Sequence, residues 1–185
     1  MTAQGVAFDY PPLYNKARAG AVFSAVTAAT GVAPGTAIGT TAPFTLLNPF
    51  GSTVNLVILK ASMAYVSGTL GSGNVELVVN TNPAAAIVTG TAITPVNHKL
   101  GGDAATGRAF TTATLPAAPT ALRPFCTLAP ILATSVVAPF KVEEDIDGAI
   151  IVTPGCALSF ESTAGAGTSP LVIFGMTWEE TSVDA

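Results

Sequence analysis

The chain has 185 residues, of which 10% are charged and 49% hydrophobic, and a formal net charge of −4. That length suits one domain, or one domain with arms, and charge this sparse, against roughly 25% in ordinary soluble domains, offers no clustered positive surface for a nucleic-acid groove. Ala and Val are interrupted throughout by Gly, Pro, Thr and Ser, so no window supplies the roughly 18 apolar residues of a membrane helix. A chain so poor in charge needs another way to avoid indiscriminate sticking. Burial of its surface in partners is one, so an obligate assembly is expected; a monomer with a neutral, threonine-rich surface is the alternative.

The first residues, MTAQGVAFDYPPLYNK, lack a basic patch followed by a continuous apolar segment, and no secretory signal is expected. Residues 1–19 are expected to form an extended arm, because Pro11 and Pro12 fit neither a helix interior nor a central ladder. The candidate subunit contacts there are Phe8, Tyr10, Pro11, Pro12 and Tyr14. From residue 20 onward helical periodicity is nearly absent. Short strand-like runs follow at 21–27, 44–47, 54–60, 63–67, 75–80, 86–94, 109–114, 125–128, 149–153, 157–162 and 171–179. Turn residues separate them, as at Gly71-Ser72-Gly73, Asn82-Pro83, Gly101-Gly102-Asp103, Pro154-Gly155 and Gly165-Ala166-Gly167. The fold class expected for 20–185 is all-β: an antiparallel β-sandwich, jelly-roll-like.

Three regions carry finer expectations. Asn48-Pro49-Phe50-Gly51-Ser52 reads as a corner between sheets, with Phe50 at its tip as a further candidate subunit contact. In 171–179, Val172, Phe174, Met176 and Trp178 share one face and Thr177 falls on the other, as in an inner strand running towards an edge. Residues 94–124, with three prolines after Thr114, read as a long loop that contacts neighbours or folds back on its own sandwich. No internal repeat is evident.

Catalytic and metal-binding groups are few. His98, the single histidine, lies in the Gly-rich text NHKLGGD, and no serine sits in a G-x-S-x-G elbow. Glu143, Asp145, Asp147 and Gly148 match the first half of a calcium loop, but Pro154 stands where the bidentate Glu belongs. The run therefore reads as a solvated acidic turn, and its carboxylates are too close together to flank a sugar. One His and two separated Cys make no convincing zinc set. The glycine pairs lack a phosphate-loop ending. Cys126 and Cys156 have no CxxC spacing and read as free thiols in a reducing cytoplasm, although a disulfide between them stays open. Tyr10, Tyr14, Tyr65 and Trp178 could form a carbohydrate platform, but Tyr65 and Trp178 lie in strand text and read as core or interface residues.

The text LNPFGSTVNLVILKASMAYVSGT, followed by VNTNPAAAIVTGTAITPVNH and by LVIFGMTWEE near the end, resembles small structural proteins of tailed bacteriophages. More specifically it is similar to the β-sandwich or jelly-roll proteins that decorate and cement icosahedral capsids, usually as trimers. That resemblance implies a virion structural protein on the capsid surface, assembled in the host cytoplasm, with the major capsid protein and copies of itself as partners. It implies neither enzymatic activity nor a cofactor, and it carries no functional residues. The same kind of domain occurs in tail and fibre proteins, so a tail or fibre component that binds a glycan is the alternative.

Overall fold

The computed structural model describes residues 11–81, 89–128, 141–163 and 167–183, which hold one helix and eleven strands. The strands are β1 (Val22–Val26), β2 (Thr41–Leu47), β3 (Val54–Ser67), β4 (Gly73–Asn80), β5 (Thr89–Ile93), β6 (Val96–Asn97), β7 (Arg108–Thr114), β8 (Thr120–Leu128), β9 (Lys141–Val152), β10 (Ala157–Ser162) and β11 (Leu171–Ser182). They form two antiparallel sheets, ordered β6-β1-β11-β3-β9 and β5-β7-β2-β10-β4-β8. Setting aside β5, β6 and β7, the orders β1-β11-β3-β9 and β2-β10-β4-β8 remain. These are the two four-stranded sheets of a jelly roll, in which the chain passes repeatedly from one sheet to the other. The inserted strands β5 to β7 extend both sheets on the side of β1 and β2.

The inner faces meet in a core of alternate residues. Val172, Phe174 and Met176, with Trp178, are all buried as their spacing required. Phe160 stacks on Phe174 across the sandwich at 4.8 Å and meets Phe44 and Phe125 edge-on at 5.8 and 5.2 Å; Trp178 stacks on Phe23 at 6.1 Å. Aromatic pairs in these geometries each add about 0.5–1.5 kcal/mol beyond area burial. Both β2 and β10 contribute to this seam, so each fixes the other's register.

Four sequence expectations need correction. Residues Pro12–Ala19 form helix α1 rather than an extended arm. Pro12 occupies its first turn, where a missing N–H costs nothing, and the non-helical residue before it is Pro11. Phe8 and Tyr10 lie outside the described residues. Within the loop expected at 94–124, β7 falls on the strand-like run at 109–114, while β6 and the start of β8 are strands that the loop reading did not include. Pro124 is accommodated because β8 is an edge strand, where a missing donor interrupts no second ladder. The acidic run is not a turn but the body of β9, the edge of the smaller sheet. It is interrupted at Asp147 and Gly148, both with positive φ (50° and 84°). Strand β11 does not approach an edge: β3 pairs with it over its length and β1 along Gly175–Glu179.

The edges β8 and β9 lie on the same side of the sandwich, and an ion pair between Arg123 and Glu144 joins them. Outward charges and an interrupted ladder on β9 discourage strand addition by another chain. Lys60 bonds both Glu143 (3.2 Å) and Asp145 (2.6 Å), and Lys141 also pairs with Glu143. The Asp145 and Glu143 partners raise the Lys60 pKa, and Lys141 with Lys60 lowers that of Glu143. Among the described residues no helix is long and apolar enough to cross a membrane.

Candidate interaction surfaces

The corner at 48–52 joins β2 of one sheet to β3 of the other, as its turn residues implied. Asn48 makes the corner rigid. It is fully buried, and its Nδ2 donates to the carbonyls of Val54 (2.7 Å) and Val152 (2.9 Å). The Asn48 backbone N–H donates to Cys156 O (3.0 Å), and Gly155 N–H donates to the Asn48 carbonyl (2.8 Å). One side chain thus binds β3 and β9 while its backbone holds the turn before β10. Ser52 N–H closes the turn on Pro49 O at 3.1 Å, and Gly51 takes the left-handed φ of 78° that a tight reversal requires. Phe50 is the result. It is 85% exposed at the tip of a corner whose backbone cannot easily retreat.

Helix α1 is held differently. None of its residues is buried, and Leu13 and Tyr14 are about half exposed. One anchor is an ion pair from Lys16 to Glu179, a carboxylate otherwise buried on the outer face of β11. A groove of about 230 Å³ separates Pro12, Leu13 and Lys16 from Leu59, Lys60 and Asp147. Pro11 is exposed before the helix. The sequence-selected contacts Pro11, Pro12 and Tyr14 therefore cluster at α1, while Phe50 stands on a separate corner.

A second opening of about 230 Å³ lies at the other end of β2, lined by Val32, Ala33, Gly35, Thr41, Ala42, Pro43 and Thr112. Its origin is a broken ladder. Strand β10 pairs with β2 only as far as Phe44, so Pro43 lies beyond that ladder. Opposite Pro43, Thr112 of β7 adopts a φ of 53°, unusual for a β-branched residue, and Thr111 Oγ1 donates to Pro43 O at 3.0 Å. Past the break, Glu161 is 1% exposed. Its Oε2 accepts the Gly39 N–H at 2.6 Å, and Oε1 has no partner among the described residues. Burial pushes the Glu161 carboxyl up to about 7, and the Gly39 N–H opposes that shift.

The remaining candidate groups are dispersed. His98 Nε2 lies 2.7 Å from Ser24 Oγ, which in turn lies 2.7 Å from Thr177 Oγ1. This pairing of β1, β11 and the segment after β6 was not legible from spacing. It places Ser24 mid-strand rather than on a strand-to-helix elbow. The Asp103 backbone carbonyl accepts from Asn97 Nδ2 at 3.0 Å. Glu180 accepts the N–H groups of Thr106 and Gly107 and so ties the preceding loop to β11. No group of three or more His, Cys, Asp or Glu among the described residues could hold a metal ion. Cys126 and Cys156 are free, and burial pushes the Cys126 thiol up to about 11, which suppresses thiolate chemistry. Of the carbohydrate-platform aromatics, Trp178 is wholly buried and Tyr65 donates its hydroxyl to Gly68 O at 2.6 Å.

The bracing role of Asn48, the burial of Glu161 and the Pro43 break were not legible from spacing. Glu161 left a signal, a lone carboxylate within the apolar strand ALSFES, and Pro43 left another, a proline inside strand text. No family model, curated protein or solved structure matches this chain.

Proposed function

We propose that the protein is a virion structural component, a capsid decoration or cement protein that binds across neighbouring capsid subunits and stabilises the mature shell. The observation that carries this reading is Phe50, a large apolar side chain held 85% exposed by a corner whose amide is committed to internal carbonyls. An aromatic presented on a braced turn needs little further backbone ordering when a neighbouring subunit covers it, which suits an anchor between subunits of such an assembly. The jelly roll is consistent with that role, since the architecture recurs in viral capsid and lectin domains, although fold alone assigns no function.

The activity is binding energy rather than chemistry. A trimer touching several capsid subunits at once gains effective concentration, so individually weak contacts hold. A composite site formed only after the shell expands would make binding select the mature lattice and resist its reversal. Cryo-electron microscopy of intact particles that contain the chain tests this: density on capsid faces is expected. Density confined to the tail, together with hits on a glycan array, would overturn it in favour of a tail or fibre component.

A further inference from the structure

We propose that copies of this chain associate head to tail, with Phe50 of one copy entering the apolar cleft beside Pro43 of the next. The inference rests on the reading of the protein as a self-associating structural component, and it names the two surfaces involved. Phe50 and the cleft stand at opposite ends of β2, whose seven residues span roughly 20 Å. No molecule can therefore satisfy its own knob. One surface meets a different surface, a heterologous contact that closes into a ring or continues as a filament according to the rotation between copies.

Size and chemistry both match. A dry apolar cavity of about 150 Å³ accepts a benzene molecule, so an open cleft of about 230 Å³ has room for a phenyl ring. Its walls come from Val32, Ala33, Gly35, Ala42 and Pro43, with two threonines, and they hold no charge. The groove beside α1 is equally large but is lined by Lys16, Lys60 and Asp147, which a phenyl ring would strip of water without compensation. The knob is likewise uncharged, flanked by Pro49 and Gly51. Both parts are pre-formed: the Asn48 bonds fix the knob, and the Pro43 break with Thr112 turned to positive φ opens the cleft.

The test is the oligomeric state of purified full-length protein, by mass photometry and sedimentation over a concentration series. Wild type is expected to be oligomeric. Phe50→Ala removes the knob and Ala33→Trp fills the exposed cleft rim, and each should weaken association at least tenfold with an unchanged urea midpoint. Leu100→Ser, at an equally exposed apolar site, should leave association as in wild type. The decisive sample is a 1:1 mixture of Phe50→Ala with Ala33→Trp. One variant keeps its cleft and the other keeps its knob, so heterodimers should form and stop there. An oligomeric wild type with undiminished Phe50→Ala association, or a mixture with no heterodimer, overturns the knob-and-cleft contact alone. A wild type that is monomeric throughout overturns both the contact and the self-assembling reading beneath it.

Discussion

The two ends of β2 solve the same problem with different chemistry. At Leu47 the strand runs into a corner, and at Pro43 it loses β10, so at both ends backbone groups must find partners away from the ladder. A buried polar side chain stands at each and bonds the backbone of neighbouring segments. At the corner it is the Asn48 amide, which donates to two carbonyls on two other segments while its Oδ1 has no partner among the described residues. At the break it is the Glu161 carboxylate, which accepts one N–H from Gly39 while its second oxygen has no partner among the described residues. The amide carries no charge into the interior. The carboxylate does, and its raised pKa records the cost. One end is therefore insensitive to pH and the other is not.

The largest effect should come from removing the corner amide. In Asn48→Ala the Val152 carbonyl loses its side-chain donor and the Val54 carbonyl keeps only the longer bond from Ser52. Two lost hydrogen bonds and a poorly satisfied buried acceptor amount to about 3 kcal/mol. Urea unfolding should show that loss equally at pH 5 and pH 8. A loss below about 0.5 kcal/mol would mean that the corner is held by core packing instead.

The Pro43 end should respond to pH and not to salt. Because the folded-state pKa of Glu161 is raised from 4.5 to about 7, the folded protein binds this proton more tightly than the unfolded chain does. Its contribution to stability is therefore greatest below pH 4.5, is lost as pH rises towards about 7, and is constant above that. The change is about 3 kcal/mol. Glu76, its cross-strand neighbour, is a like charge and does not relieve it. Glu161→Gln keeps an acceptor for Gly39 and removes the ionisation. The variant should match wild type near pH 4, exceed it at pH 8, and give a flatter profile from pH 5 to 8. Identical slopes in the two proteins would place the titration elsewhere.

Much of this architecture was written in local text, and the limits are equally physical. The face Val172, Phe174, Met176 and Trp178 was legible because alternation depends only on neighbours in sequence. The corner was legible from Pro49 and Gly51, but the role of Asn48 was not, since its partner Val152 lies 104 positions away. Strand β9 was hidden by its own charges, which resemble a turn until Lys60 and Lys141 are seen to pair with them. Helix α1 was hidden because its prolines fall where a helix tolerates them. The cleft needed both Pro43 and Thr112, on strands whose pairing no local pattern announces.

The smallest effect is the most informative about how the corner shares its load. Ser52 Oγ accepts from Val54 N–H (3.1 Å) and also lies 3.2 Å from Val54 O, the carbonyl that Asn48 reaches at 2.7 Å. Ser52→Ala alone should cost only about 0.5 kcal/mol, because the turn is half exposed and the Asn48 amide still satisfies that carbonyl. In the double variant with Asn48→Ala, Val54 O loses both side-chain donors. The combined loss should then exceed the sum of the single losses by about 0.5–1 kcal/mol, as expected for residues that share a partner. Additivity within about 0.3 kcal/mol would instead assign the stabilisation by Asn48 to Val152 and β9, and make Ser52 a turn residue with no part in bracing Phe50.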